Sequence, residues 1–185
     1  MSKIIYEPGG NRVKIYISGV FVLVCFLVLP CSCAQRALPI WEYKQDAINI
    51  FIEADNQLNL RNGASHTLSV CVYQLKDPNA FHQLSGDTDG MYRLLDCGIF
   101  DPGVAVTKRL IVHPNDELKV TLDRAEGAKF IAFVAGYYTI EKDRIVRFYE
   151  IPIKKQGVFR RKFVPGSADI HLVLGPKQIL TPREE

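Results

Sequence analysis

The 185-residue sequence has no motif that commits it to catalysis. It contains no Gly-x-Ser-x-Gly and no His-Glu-x-x-His, so it encodes neither a nucleophile elbow nor a two-histidine zinc helix. Its four histidines, His66, His82, His113 and His171, are scattered without ligand spacing. Ser65 and His66 are neighbours, but adjacency along a chain is not triad geometry, and a strand start is the ordinary reading. Asp87, Asp89 and Gly90 match a fragment of a calcium loop, which needs more ligands and a terminal glutamate. A solvated turn explains them better. No catalytic residue, metal, cofactor or small-molecule substrate is therefore expected. Internal repeats, low-complexity tracts and βαβ alternation are also missing, which excludes solenoid and doubly wound folds.

One long apolar run is present. Ile15–Leu29 follows Lys3, Arg12 and Lys14 and ends at Pro30-Cys31-Ser32-Cys33. A basic start, an apolar middle and a small residue at the cut are the three parts of a secretory signal. The run is short for a bilayer-spanning helix of about 20 residues, and Pro30 ends any helix there. The competing reading is an uncleaved signal anchor. The cysteine at the cut resembles the bacterial lipoprotein box, with Cys33 carrying acyl chains and Ser32 before it. Cys31 is the poorer candidate because Pro30 would precede the cut. An aliphatic residue usually lies three positions before the cysteine, and here that position is Pro30. Ala34 stands where an aspartate tends to retain lipoproteins in the inner membrane, so the periplasmic face of the outer membrane is expected. Apart from this covalent lipid, no bound group is expected. No second apolar run is long enough to span a membrane.

Removing residues 1–32 leaves 153 of the 185, enough for one domain. Lys3, Arg12, Lys14 and Glu7 leave with them, so 23 basic and 20 acidic groups become 20 and 19. A near-neutral balance argues against nucleic-acid binding, which uses a concentrated basic surface. Of five cysteines, only Cys71 and Cys97 lie beyond the cut region. In an oxidising compartment they read as one disulfide. Two buried thiols are the alternative, since sequence does not bring their Cα atoms within bonding distance. A metal pair lacks the usual Cys-x-x-Cys or Cys/His cluster.

Residues 33–46, with Pro39 and Trp41, read as a lipidated tether. Residues 47–180 read as the folded domain and 181–185 as a tail. Expected strands are Ala47–Ala54, His66–Leu75, Val104–Val112, Leu118–Leu122, Lys129–Thr139, Ile145–Ile151 and Ala168–Leu174. Lys129–Thr139 is the candidate central strand, and Val158–Val164 a charged edge strand. Short helices are expected after Asp77-Pro78-Asn79 and over Met91–Asp96. Roughly seven or eight strands with short helical inserts predict an all-β, antiparallel sandwich. Tyr137, Tyr138, Phe148 and Tyr149 read as core and sheet contacts. Lys154, Lys155, Arg160, Arg161 and Lys162 form the densest basic stretch, either a solvated edge or a contact for lipid phosphates or an acidic partner.

Several segments together resemble a known family. Ile48–Ala54 is followed by Asn56-Gln-Leu-Asn59, Val70–Leu75, Phe81, Leu94-Leu95, the Val-His-Pro turn at 112–114 and Ile131–Tyr138. With the lipobox and the length, this order is similar to the outer-membrane lipoprotein of type VI secretion systems, the TssJ or VasD family. His113-Pro114-Asn115 departs from the Pro-Gly turn common there. The resemblance implies a transthyretin-like sandwich with a small helical insert. It implies a structural role in a trans-envelope complex, not an enzyme. The partner would be the periplasmic part of a TssM or IcmF-like inner-membrane protein, with TssL reached indirectly. It also assigns the contact to the loop between the first two strands, here Asp55–Ser65.

Within that loop the candidate partner residues are Asn56, Gln57, Leu58, Asn59, Leu60, Arg61 and Asn62. Leu58 and Leu60 read as apolar anchors rimmed by hydrogen-bonding groups. The alternative is that both leucines tuck back onto the sandwich. A rival function from a different class is a periplasmic carrier for a small ligand.

Overall fold

Alternating β-branched residues give Lys44–Ala54 (β1) one inward face, Ile48, Ile50 and Ile52, all buried, and one outward face, Asn49, Phe51 and Glu53. The computed structural model describes residues 38–157 and 162–180, with β1 inside a four-stranded sheet. The sheet order is β10-β9-β1-β4, where β4 is Glu117–Arg124, β9 is Ala168–Leu174 and β10 is Ile179–Leu180. A second four-stranded sheet has the order β3-β2-β5-β6, from Val104–Val112 (β3), Leu68–Leu75 (β2), Phe130–Ala135 (β5) and Val146–Glu150 (β6). Residues from both sheets share one hydrophobic core. Ile153–Gln156 (β7) and Lys162–Pro165 (β8) pair only with each other. The Val158–Val164 expectation lies largely outside the described residues.

Strands β2 and β5 are buried on both faces because a third layer covers the second sheet. Helices Asn79–Leu84 (α1) and Thr88–Leu95 (α2) sit over it. Tyr73 from β2 donates its hydroxyl to the Leu94 carbonyl and packs its ring between Phe81 and Phe100. A one-turn helix, Lys142–Ile145 (α3), leads into β6. Residue Asp87 caps α2, accepting from the Gly90 amide at 2.7 Å. Gly90 lies so close to α1 that a Cβ would stand 2.1 Å from the Leu84 carbonyl oxygen. The Asp87–Gly90 segment is thus a helix start built for close packing. Cys71 of β2 is disulfide-bonded to Cys97 just after α2, with Cα atoms 5.3 Å apart, tying the helical layer to the sheet. Gln74 links the two sheets: its Nε2 donates to the Asp123 carbonyl and its Oε1 accepts from the Ala125 amide, both at 2.8 Å.

Four expectations change. The sandwich is not wholly antiparallel, because β1 pairs with β9 in parallel from Ile48↔Ala168 to Ala54↔Leu174. Among the described residues ten strands form, since β7 and β10 are short additions. Strand β1 starts at Lys44, inside the expected tether, held by Tyr43 and the Asp46 amide on the Asp123 carboxylate. Those two hydrogen bonds hold the Asp123 carboxyl below its ordinary pKa. Strand β5 ends at Ala135: the Gly136 amide still donates across to Ser69, but the Tyr137 amide turns back onto the Ala135 carbonyl and the Tyr138 amide donates to Asn59. Among the described residues, no helix is long and apolar enough to cross a membrane.

Candidate functional site

Loop Asp55–Ser65 leaves the end of β1 as a chain of tight turns. The Asp55 carboxylate accepts from the Gln57 amide at 2.7 Å, and the Leu58 amide donates to the Asp55 carbonyl at 3.0 Å. Farther on, Arg61 and Ala64 exchange both backbone hydrogen bonds around Asn62-Gly63. Both central residues have positive φ, 51° and 79°, the type I′ pattern that Asn-Gly favours. The Leu60 amide donates to the Pro176 carbonyl at 2.8 Å, stapling the loop to the β9–β10 turn. Tyr137 secures that turn, donating its hydroxyl to the Gln178 carbonyl at 2.9 Å.

This geometry corrects the reading of the leucines. Leu58 is fully buried in the core and is unavailable to a partner. The turn at Asp55 folds it inward, and its carbonyl accepts from the His66 amide at 2.9 Å, closing the loop over it. Asn59 is also withdrawn, at 5% exposure. Its Oδ1 accepts from the Tyr138 amide and its Nδ2 donates to the Thr67 carbonyl. Its φ of 49° suits an asparagine. Leu60 is half-buried, and Asn56, Gln57, Arg61 and Asn62 are exposed.

Tyr138 is what the sequence reading missed. It is 49% exposed, with the Arg61 guanidinium 4.4 Å from its ring centroid and the His66 ring edge-on at 5.3 Å. Expected as a sheet contact, Tyr138 instead lies beyond β5, while its neighbour Tyr137 is buried. A cleft of about 290 Å³ adjoins it, lined by residues that include Leu60, Tyr138, Glu141, Arg144 and Lys177. Glu141 and Arg144, three positions apart at the start of α3, pair at 2.8 Å in the cleft lining. An exposed Tyr–Arg stack between a pinned loop and the segment after β5 has the composition of an interface anchor.

The other candidates stay apart. His113 hydrogen-bonds Thr67, His171 faces Glu53 at 3.2 Å, and His82 packs on Phe148. Among the described residues, no three His, Cys, Asp or Glu side chains group as a metal site. Cys31, Cys33, Arg160 and Arg161 lie outside the described residues.

The fold is a two-sheet β-sandwich with a helical cover, a rigid frame that carries a pinned surface loop. Residues 46–175 match the family described as "Type VI secretion lipoprotein, VasD, EvfM, TssJ, VC_A0113", and the chain belongs to that family. The fold is similar to that of the T6SS lipoprotein TssJ1 from Pseudomonas aeruginosa, with TM-score 0.55 and 16% identity, covering 79% of this chain and 100% of that one. It is similar to Serratia marcescens Lip, described as a membrane-bound component of the type VI secretion system, with TM-score 0.56 and 14% identity over 75% and 98% of the two chains. A chain in the structure described as the T6SS protein TssM C-terminal domain from EAEC also matches, with TM-score 0.53 and 17% identity over 74% and 98%. Among curated proteins, none matches.

Proposed function

We propose that this chain is acylated at Cys33, sits on the periplasmic face of the outer membrane, and docks the periplasmic domain of a TssM-type inner-membrane protein, with TssL reached through it. The observation that carries the docking half is the pinned loop, whose Arg61 stacks on the exposed Tyr138 that follows β5. Preorganisation matters because binding then costs little ordering entropy. Family membership and the Ser32-Cys33 sequence support the anchoring half. The contact surface comprises Asn56, Gln57, Leu60, Arg61 and Asn62 from the loop, joined by Tyr138. Leu58 and Asn59 hold the loop from beneath.

Calorimetry with the partner's periplasmic domain tests docking. Tyr138→Ala removes the ring and Arg61→Glu reverses the charge. A hot-spot truncation costs about 2 kcal/mol or more, roughly thirtyfold in affinity. Unchanged affinity in both variants would move the interface elsewhere. Labelling with radioactive palmitate tests the anchor: Cys33→Ser should lose the label, and a retained label would transfer the site to Cys31.

The carrier reading has one supporting observation. A concavity of about 490 Å³ crosses the outer face of the first sheet, where Phe51 is flanked by His171 and Lys119. A small molecule co-purifying with the protein, seen by native mass spectrometry, would favour that reading.

A further inference from the structure

The segment before β1 is fixed to the domain at Trp41 and Glu42. The Trp41 carbonyl accepts from the Gly127 amide at 2.7 Å, and the Glu42 carbonyl from Arg124 at 3.0 Å. Arg124 is almost fully buried, with its guanidinium 5.6 Å from the Trp41 ring centroid. Upstream of this clamp, Leu38 and Ile40 are 86% and 74% exposed. Leu38, Pro39 and Trp41 line a groove of about 360 Å³ with Phe130, Ile151 and Ile153. Lys129 and Glu150 also line it, and exposed Lys154 and Lys155 follow Ile153 on β7. Ile153 is itself about half exposed, so the groove is open to solvent along an apolar wall.

We propose that this groove and the lysines of β7 form a membrane-contacting surface that rests on the phosphate headgroups of the leaflet holding the lipid anchor. The inference rests on acylation of Cys33. Leu38 lies five positions after Cys33, and an extended chain spans at most about 3.6 Å per residue. Leu38 thus stays within roughly 18 Å of the acylated residue. Headgroups extend about 5–8 Å beyond the hydrocarbon, and the Debye length is roughly 8 Å at physiological salt. The anchor therefore tethers the groove near the headgroups, and Lys154 and Lys155 follow its lining residue Ile153 on β7. Exposed apolar side chains beside lysines are the composition of an interfacial contact. Lys154 and Lys155 outnumber Glu150, the acidic residue in the groove wall. The clamp at Trp41 makes the contact orienting: the domain would hold a set attitude on the membrane and not swivel on its acyl chains.

The test uses the sole tryptophan, Trp41, as the probe. The acylated full chain is reconstituted in phosphatidylethanolamine–phosphatidylglycerol vesicles carrying brominated lipid. The expected result is quenching of Trp41 on vesicles, reduced in Ile153→Asp and in Lys154→Glu with Lys155→Glu, while all forms still float with the vesicles. Each basic residue near an anionic surface strengthens contact about fivefold, so the paired charge reversal should show the larger salt sensitivity. Acylated, vesicle-bound protein with unquenched Trp41, or quenching indifferent to both variants, would overturn the surface and leave acylation standing. Trp41 emission that moves only on adding the partner domain would assign the groove to protein and overturn the proposal. Protein whose N-terminal peptide carries no acyl mass would overturn both readings.

Discussion

Leu58→Ala separates two roles that hydropathy alone does not. If Leu58 were a docking anchor, truncation would weaken partner binding and leave the melting temperature alone. The structure buries it completely, within the core shared by both sheets. Truncation to alanine removes three carbons, worth roughly 2.4 kcal/mol at about 0.8 kcal/mol each. A cavity term follows, because the loop above is pinned by the His66–Leu58 and Leu60–Pro176 hydrogen bonds and collapses poorly. The total should lie in the range of about 3–5 kcal/mol. In a domain of this size each kcal/mol lowers the melting temperature by about 3 °C, so the fall should be roughly 9–15 °C. Leu60→Ala, at a half-buried position, should cost under about 1.5 kcal/mol. Thermal melts by circular dichroism, run beside calorimetry below the melting range, distinguish the outcomes. An unchanged Leu58→Ala melting temperature with lost affinity would refute the burial argument and restore Leu58 to the interface.

The remaining expectations concern the helical cover and the tyrosine beneath it. Gly90→Ala should destabilise by about 1–3 kcal/mol or more, since its Cβ would meet the Leu84 carbonyl at 2.1 Å; a urea midpoint equal to wild type would contradict that close approach. Opening the Cys71–Cys97 disulfide, whose cysteines are 26 residues apart, should cost roughly 3–4 kcal/mol in the chain-entropy model. Alkylation of both thiols in unfolded, unreduced protein would show the disulfide to be absent. Burial pushes the Tyr73 hydroxyl up to about 12. The neutral phenol is thus favoured in the folded state, and its contribution is complete below pH 10, then lost as pH rises through about 12. Denaturant midpoints should fall above pH 10, and Tyr73→Phe should flatten that fall; equal slopes would exclude Tyr73 as the source.

What sequence made legible was local pattern, and what it hid was non-local. Strands β3 and β9 have the bounds read from their alternating, β-branched runs, because turns close both ends. The expected strand Lys129–Thr139 overran, since Tyr137 and Tyr138 look equally apolar whether they sit in a sheet or a turn. The Tyr137 amide turning back onto Ala135 and the Tyr138 amide donating to Asn59, a residue far off in the chain, decide that β5 stops at Ala135. The loop leucines failed for a similar reason. Position in a polar loop does not reveal which side chain faces the core, and the Asx turn at Asp55 settles it for Leu58. The parallel β1–β9 pair joins residues more than a hundred positions apart, beyond any windowed pattern. One available signal went unread: β2 lacks alternation as β5 does, and both needed the third layer that α1 and α2 supply.

The two proposed attachments meet at opposite ends of one strand. The clamp at Trp41 and Glu42 lies just before β1, and the pinned loop starts at Asp55, just after it. The strand is irregular between Lys44 and Ile48, where Asp46 has φ 50°, and its regular stretch from Ile48 to Ala54 spans about 20 Å. Tension between a lipid anchor and a docked partner would then run along β1 itself. The strand is interior, held by β9 from Ile48 to Ala54 and by β4 from Ile48 to Glu53. Force parallel to the strand loads both ladders together, in shear. A strand peeled from one end would instead break its hydrogen bonds in sequence. An edge strand would offer one ladder and a hairpin end a single pair. If both proposed attachments hold, the central position of β1 and its two-sided pairing would resist that load, and Ile48, Ile50 and Ile52 anchor the strand in the core against slippage.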